Sequence, residues 1–396
     1  MIKIGNKPII EHQIDVLNKY GIKDVIILTH YMSDIIERHF KDNKKVKIFK
    51  EEIPLGTSGG IKEIENILTD DFLLIYGDVM FNMNLERLIQ FHKKKKSVCT
   101  LVVRSTDHPI DSDLIDIDDK KRIKRIYTKP HDQNRYYRNL AFTGICVMSK
   151  KILKHIKRGV KADLGHDIFP NLVDKERLYA YKSAEYIKDI GTPERLDAVQ
   201  MDQSSGKIIR LNIKNKRKAI FLDRDGTIGG KKDFVYKLED FNLLPGVAEA
   251  IKKINDSEFL AIVVTNQPVV ARGLCTIEEL EEIHKKMETL LGEEGVKLDE
   301  IYYCPHHPDK GYPEENSKYK IICDCRKPKT GMIEQAVKDF NIDLKKSFII
   351  GDSDRDILCG KNAGVRTIAL NKTLETPDYR FNNLKEAIDF IIEESR

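Results

Sequence analysis

No apolar run in the 396-residue sequence approaches the roughly 18 residues of a membrane span, so a helical transmembrane protein is excluded. Met1-Ile2-Lys3-Ile4 leads at once into polar residues, which does not read as an export signal, and a cytoplasmic location is expected. Charge of one sign is not in excess either: 68 Lys and Arg stand against 63 Asp and Glu, a net charge of +5. A dedicated nucleic-acid binder carries a concentrated basic stripe, and none is present. The longest basic run, Lys93 to Lys96, follows a helical stretch and reads as a solvated face. No internal repeat is visible. Cysteines number seven, an odd count that argues against a disulfide framework, yet Cys304, Cys323 and Cys325 bunch together, and bunching points to metal.

What is present fits a folded, multidomain chain. A hydrophobic content of 41% excludes wholesale disorder, and the length predicts two or three domains at roughly 150 residues each. In the first half, Ile10, Ile14, Leu17 and Tyr20 recur at helical spacing before a strand over 24–29. A helix near 33–41, a strand over 46–49, a helix near 58–67 and a strand over 72–76 follow. Such alternation predicts parallel βαβ units with ligands at the carboxyl ends of the strands. The polar, Lys-rich stretch from Asp202 to Arg217, with Ser204-Ser205-Gly206 inside it, reads as a linker. Alternation then restarts, with strands at 219–222, 260–264 and 347–350 and helices at 247–255 and 277–291. The predicted fold class is α/β, two Rossmann-like doubly wound domains over 1–203 and 217–396 with a linker at 204–216.

Asp223-Arg224-Asp225-Gly226-Thr227 follows directly on an apolar strand. Two carboxylates two residues apart at a strand end can converge on one Mg²⁺, which takes oxygen ligands from one or two carboxylates plus substrate phosphate. One aspartate can then attack phosphorus while the other handles protons; the same residue types also suit a solvated turn. Three further segments favour chemistry. Thr265-Asn266-Gln267 ends a second strand with a hydroxyl and amides, Arg326-Lys327 supplies two cations, and Asp352-Ser353-Asp354-Arg355-Asp356 ends a third strand with carboxylates. Acids for a metal and cations for a phosphate form an electrostatic cradle for phosphoryl transfer. Cys304-Pro305-His306 and Cys323-Asp324-Cys325 offer three sulfurs and an imidazole, a set suited to a closed structural Zn²⁺ site, with His307 as an alternative ligand.

These motifs, in this order, resemble the haloacid dehalogenase superfamily of phosphatases over residues 217 to 375. The resemblance implies Asp223 as nucleophile, Asp225 as general acid/base, Thr265 as the phosphate-binding hydroxyl and Lys327 as the cation joining nucleophile and phosphate. It implies a Mg²⁺ site from Asp223, the backbone of Asp225 and Asp352, supported by Asp356. The zinc loop, with His306 favoured over His307, and Ala271-Arg272-Gly273 look like the D-glycero-D-manno-heptose 1,7-bisphosphate phosphatases, a framework nearly shared by histidinol-phosphate phosphatases. Both usually read Ser-Gly after the Gln, where this chain has Pro268-Val269. Asn266, Arg272 and Arg326 are the remaining candidates for gripping substrate.

In the first half, Gly56-Thr57-Ser58-Gly59-Gly60 is a Gly-rich turn before a helix, Asp78 closes a strand, and Asp189 offers a second carboxylate. With Gly5 to His12 and Lys129-Pro130, these resemble the sugar-1-phosphate nucleotidyltransferases from Gly5 to about Gln200. The resemblance implies Asp78 and Asp189 on a catalytic Mg²⁺, the loop containing Gly56 and Gly59 on the nucleotide, and Lys129 on the sugar phosphate. That family opens with a strand and an Arg-bearing, Gly-rich loop that grips the triphosphate; here the sequence begins after it. An N-terminally incomplete domain is therefore expected: either the natural protein starts earlier or the flanking strands have closed the gap, and nucleotidyl transfer by the chain as written is not expected.

The expected function is a phosphatase of a sugar bisphosphate, in the heptose branch of sugar-nucleotide biosynthesis, fused to a transferase-like domain. The alternatives are a histidinol-phosphate phosphatase with a relic first domain, and a first domain that binds nucleotide or sugar as a scaffold without turnover. The expected partners are a small sugar phosphate and a nucleotide, with neither nucleic acid nor membrane.

Overall fold

A computed structural model describes residues 1–230, 234–371, 373 and 375–395. The chain divides into two compact units, the first made of Met1–Arg104, Ser112–Lys129 and Leu140–Asn212, the second of Ser105–Asp111, Pro130–Asn139 and Ile213–Arg396.

The first unit opens with a two-residue ladder, β1 (Lys3–Ile4) against β2 (Lys7–Pro8), and enters α1 (Ile9–Lys19). Then come β3 (Val25–Thr29), α2 (Ser33–Phe40), β4 (Val46–Lys50) and α3 (Gly56–Glu63). β5 (Asp71–Ile75) and β6 (Val79–Asn82) precede α4 (Leu85–Lys95), whose first turn is capped by Asn84 accepting the Arg87 amide at 3.2 Å. Strands dominate the remainder: β7 (Cys99–Ser105), β8 (Leu114–Ile117), β9 (Ile123–Tyr127), β10 (Leu140–Ser149), β11 (Leu178–Lys182) and β12 (Tyr186–Asp189). α5 (Pro193–Ser204) and α6 (Lys207–Arg210) end the unit.

Strand directions here are mixed rather than uniformly parallel. The large sheet runs β11-β7-β10-β8-β9, with β5 antiparallel to β10, while β3 and β4 form a separate parallel pair. The strands flanking the expected gap have therefore not closed it: β3 pairs with β4 and β5 with β10, and among the described residues neither pairs with the other. The stretch read as a linker takes in the end of α5 and the short α6. Gly206, at φ +74°, restarts the chain after α5, and Ile208 of α6 is buried in one apolar cluster with Ile4 and Val199. The division between units falls at Asn212–Ile213, inside that stretch.

The second unit is a parallel sheet with helices between its strands. β13 (Lys218–Leu222), α7 (Val247–Asp256), β14 (Phe259–Asn266), α8 (Ile277–Glu293) and β15 (Glu300–Cys304) lead to α9 (Gly331–Phe340). β16 (Phe348–Gly351), α10 (Asp354–Ala363), β17 (Arg366–Ala369), β18 (Tyr379–Arg380) and α11 (Leu384–Glu394) follow. The sheet order is β15-β14-β13-β16-β17-β18, all pairs parallel. The first strand is thus central, and the chain reverses direction across the sheet between β13 and β16, the switch point where such sheets bind ligands. Ala219 to Leu222 are buried on both faces, as a central parallel strand requires. In α7, Val247, Ala250, Ile251 and Ile254 are spaced to turn one stripe onto that core. α8 begins on a capping box: Thr276 accepts the Glu279 amide at 3.1 Å and Glu279 accepts the Thr276 amide at 2.8 Å.

Asp299 fixes the register where β14 meets the approach to β15. Its amide donates to Ala261 O at 2.8 Å, and its carboxylate accepts the Ala261 amide at 2.9 Å and Lys297 Nζ at 2.8 Å. Burial alone would raise this carboxyl, but Lys297 and the Ala261 amide outweigh it and hold it below the ordinary value. Asp299→Ala strands a buried amide and should cost about 2 kcal/mol in urea unfolding at neutral pH. Because the folded-state value is depressed, this stabilisation is present above an unfolded-state pKa of about 3.9 and is lost as pH falls through the folded-state value. Wild type and variant should therefore converge on acidification; equal stability at neutral pH would contradict the assignment.

Candidate active site

The switch point of the second unit gathers the predicted residues. Asp223 leaves β13 with its amide on Ile350 O at 3.0 Å, which sets its carboxylate beside the end of β16. Lys327 Nζ is 3% exposed and donates to Asp223 Oδ1 at 2.8 Å, Asp356 Oδ1 at 2.5 Å and Val264 O at 2.7 Å. All three of its protons are thereby used, which a buried ammonium requires. Burial would lower Lys327, but Asp223 and Asp356 more than offset it, and it stays firmly protonated. Burial raises the Asp223 carboxyl, with Lys327 pulling it back and Asp356 and Asp225 pushing it further up.

Asp223, Asp352 and Asp356 bring carboxylate oxygens within 4.8 Å of one another. They are not equivalent. Asp356 Oδ1 faces Lys327, and its Oδ2 accepts Ser353 N and Oγ at 3.1 and 2.6 Å, closing the capping box of α10. Asp356 therefore ties the lysine to a helix start, whereas Asp223 and Asp352 are the pair suited to a hard divalent cation. Gly226, at φ +78°, makes the approach possible: a Cβ there would lie 2.2 Å from Asp352 Oδ2.

The Asp225 carboxylate stands apart from that cluster. Arg224 grips it through Nε at 2.7 Å and Nη2 at 2.9 Å, and Gln267 Nε2 donates to it at 2.9 Å. Arg224 is fully buried and also donates to Gln267 Oε1 at 2.9 Å and Val235 O at 3.1 Å. Sequence reasoning missed this clamp, although Arg224 lies between the two aspartates and Gln267 beside Asn266. Gln267 also donates to Thr265 Oγ1 at 2.9 Å, so one amide aims both the hydroxyl and the proton-handling carboxylate. Asn266, a candidate for substrate, is engaged elsewhere. Its side chain accepts the Lys327 amide and donates to Lys327 O, each at 2.9 Å, and so positions the lysine.

Cys304, His306, Cys323 and Cys325 form a second cluster. Their sulfur–sulfur distances are 3.1, 3.3 and 3.5 Å, and His306 Nδ1 is 3.3 Å from Cys325 Sγ. A tetrahedron with metal–sulfur bonds of about 2.3 Å has edges a little under 4 Å, so these four donors fit a closed zinc-type site. Hydrogen bonding from Cys304 pulls the Cys325 thiol down to about 5, toward the thiolate a metal needs. His307 is outside the cluster and accepts the Asp309 amide at 3.2 Å. Arg326 Nη1 donates to His306 O at 3.2 Å, so the cation is tethered to the cluster.

Arg272 lies between the rings of Phe234 and Tyr312, at 4.4 and 4.7 Å from their centroids. Gly273 after it has φ +72° and no room for a Cβ, which would fall 1.6 Å from Glu314 O. Val269, where the resembling families carry a smaller residue, is fully buried with Val270, Cys275 and Leu280. It therefore fills a small core.

In the first unit the antiparallel pairing of β6 and β12 sets Asp189 opposite Val79, one residue from Asp78, and the Ile190 amide donates to Asp78 O at 2.9 Å. Burial and the neighbouring Asp189 raise Asp78, against a backbone hydrogen bond that lowers it. For Asp189 the Gly191 amide and Arg195, at 3.1 and 2.9 Å, outweigh burial and lower it. The Gly-rich turn packs inward: a Cβ on Gly56 would meet Ala162 O at 2.5 Å, one on Gly59 would meet Val160 O at 2.9 Å, and Ser58 N already donates to Ala162 O. Its glycines thus serve at least this backbone approach. The Lys129 amide donates to Asp113 at 3.1 Å.

Comparison with known proteins agrees with this division. The nucleotidyl transferase family model matches residues 1–206, and a HAD-hydrolase-like model matches 324–392. A D-glycero-beta-D-manno-heptose-1,7-bisphosphate 7-phosphatase of Haemophilus ducreyi is 44% identical over 158 residues, 40% of this chain and 84% of that protein. A D-glycero-alpha-D-manno-heptose-1,7-bisphosphate 7-phosphatase of Photorhabdus laumondii is 40% identical over 159 residues, 40% of this chain and 85% of that protein. The crystal structure of a D,D-heptose 1,7-bisphosphate phosphatase from B. bronchiseptica, complexed with magnesium and phosphate, is 30% identical. It covers 45% of this chain and 99% of its own, with a TM-score of 0.40. The second unit is a phosphatase of the HAD type, a phosphoric monoester hydrolase. The chain as a whole belongs to two families, the nucleotidyl transferases through residues 1–206 and the D-glycero-D-manno-heptose-1,7-bisphosphate 7-phosphatases through its C-terminal part.

Gly226→Ala tests the close approach at the acid pair. Displacing Asp352 should lower phosphate release at least about tenfold, since about 1.4 kcal/mol of lost transition-state stabilisation suffices for that factor. Steady-state assays of wild type and variant read it directly, and unchanged turnover would show that Asp352 need not sit where the structure puts it.

Proposed function

We propose that the second unit hydrolyses the 7-phosphate of a D-glycero-D-manno-heptose 1,7-bisphosphate through an aspartyl-phosphate on Asp223. The observation that carries this reading is the buried Lys327 bridging Asp223 and Asp356 at 2.8 and 2.5 Å, opposite a second carboxylate, Asp225, oriented by Arg224 and Gln267. Asp223 attacks phosphorus as the bond to the sugar oxygen breaks, and Asp225 delivers the proton to that leaving oxygen. Water then attacks the phosphorus of the acyl phosphate, giving its proton to Asp225 and restoring Asp223. The Thr265 hydroxyl takes a phosphoryl oxygen, and Lys327, bonded to Asp223, Asp356 and Val264 O, holds the nucleophile in place with its positive charge beside the phosphate, while Arg272 and Arg326 take the rest of the substrate. A Mg²⁺ held by Asp223, Asp352 and the backbone of Asp225 would supply charge neutralisation at the phosphate. The relatives' printed activities support the choice of substrate.

The Cys304–His306–Cys323–Cys325 cluster holds structural zinc in this reading and pins the loop that delivers Arg326 and Lys327. The first unit, through Asp78, Asp189 and the segment at Lys129, takes a sugar 1-phosphate and a nucleotide. A heptose bisphosphate that loses its 7-phosphate becomes a sugar 1-phosphate, the class of compound such a unit handles, and covalent linkage raises its local concentration there.

A substrate panel decides the assignment. Phosphate release from heptose 1,7-bisphosphate should exceed that from histidinol phosphate by about 100-fold or more, because a site built around two anionic groups leaves its cations unpaired with the smaller ester. Preference for histidinol phosphate would overturn it. Cys325→Ser should reduce metal from about one zinc per chain toward none by elemental analysis, and lower phosphate release with it. Zinc loss with full activity would separate the cluster from the phosphatase site.

A further inference from the structure

Part of the phosphatase unit comes from the stretch that the nucleotidyl transferase model matches: Pro130–Asn139 lies within residues 1–206 yet belongs to the second unit. It is fastened along α8. The Tyr137 amide donates to Thr289 Oγ1 at 2.8 Å, that hydroxyl donates to Tyr137 O at 3.2 Å, and Asn139 Nδ2 donates to Glu288 O. Gly292 permits the fit, since a Cβ there would lie 2.4 Å from Asn139 Nδ2. Between these anchors Arg138 pairs with Glu281, and only 22% and 21% of the two side chains are exposed. The Glu281 carboxylate also accepts the hydroxyl of Tyr303 in β15. His284, one turn along the same face of α8, packs its ring 5.1 Å from that of Tyr303. Burial first, then the charges of Arg224 and Arg138, hold His284 well below its ordinary pKa, so it offers Glu281 no charge, and Arg138 supplies it.

Tyr303 in turn supports the segment after β14. Its ring packs on the cluster of Val269, Val270, Cys275 and Leu280. Val269 and Val270 lie in a tight turn that leads to Arg272: the Arg272 amide donates to Pro268 O and the Leu274 amide to Val269 O, each at 2.9 Å. We propose that Arg138 is a positioning residue for substrate, acting through Glu281 and Tyr303 on the turn that holds Arg272. A carboxylate so sheltered needs a cation, and without Arg138 it turns to water and releases the Tyr303 hydroxyl. The ring then loses its fixed orientation, and Val269 and Val270 lose the surface they rest on. Phe234 and Tyr312 still flank Arg272, so the guanidinium stays in the site but is held less firmly. This role rests on the reading in which Arg272 takes the part of the substrate away from the reacting phosphate.

Steady-state kinetics of the full chain with Mg²⁺ test this role on two substrates, heptose 1,7-bisphosphate and p-nitrophenyl phosphate, which has no second anionic group. Arg138→Met should raise KM for the bisphosphate at least about fivefold with kcat unchanged, and leave hydrolysis of the aryl ester as it is. Glu281→Gln removes the ion pair from its other side and should do the same; it stands in for Arg138→Met should that variant not fold. Arg272→Ala is measured alongside and should raise KM for the bisphosphate further. A raised KM in Arg272→Ala with none in Arg138→Met and Glu281→Gln would overturn the positioning role and leave the reading of Arg272 standing. No rise in Arg272→Ala would remove that reading and the role with it. Activity that falls alike on both substrates in Arg138→Met and Glu281→Gln would also overturn the role, leaving the pair a structural one.

Discussion

A single buried ammonium organises the phosphatase unit. Lys327 Nζ is bonded to a carboxylate at the end of β13, a carbonyl of β14 and a carboxylate in the first turn of α10. Those three elements meet at the reversal point of the sheet, so one cation fixes the spacing of the strands whose ends form the site. An unpaired charge in that position would be costly, and two carboxylates there without the cation would repel each other. The same contacts that make the lysine tolerable also aim Asp223. Structural and chemical demands therefore converge on the same atoms.

The surroundings serve to place this lysine and its acids. Asn266 brackets its backbone through both amide groups, and Asp356 ties it to the start of α10 through the capping box with Ser353. Arg326, the preceding residue, is tethered to the Cys/His cluster through His306 O. The long segment between β15 and α9 has little regular structure of its own, and a cross-link of four donors holds what hydrogen-bonded ladders do not. Arg224 and Gln267 do the corresponding work for Asp225. They keep its carboxylate apart from the acid cluster, so that the two aspartates of one short motif have different neighbours and can take different roles.

The residues legible in the sequence were those whose chemistry is declared by type and position together. An Asp-x-Asp after an apolar strand, a Thr at the end of another, a Lys beside an Arg and a bunch of cysteines can be read without coordinates, because strand ends in parallel sheets converge. The spacing of Cys304, His306, Cys323 and Cys325 is such a case, and the structure gathers those four rather than His307. What was not legible depends on contacts far apart in the chain. Nothing local tells that Gln267 reaches Asp225, or that Asn266 holds a backbone 61 residues away. Nor does periodicity give strand direction, which is why the first unit reads as parallel while its main sheet is mixed. The polar stretch after α5 holds the division between the units, but composition does not show that Ile208 within it is buried against Ile4 and Val199, contacts far apart in the chain.

The central claim is that Asp223 carries the phosphoryl group while Asp225 moves protons. Borohydride reduces an acyl phosphate of aspartate to homoserine, so quenching turnover with it and sequencing the peptides by mass spectrometry marks the nucleophile. The account predicts homoserine at position 223, present only when sugar bisphosphate and Mg²⁺ are both supplied. Homoserine at position 225, or none at either position under conditions of full turnover, would contradict it.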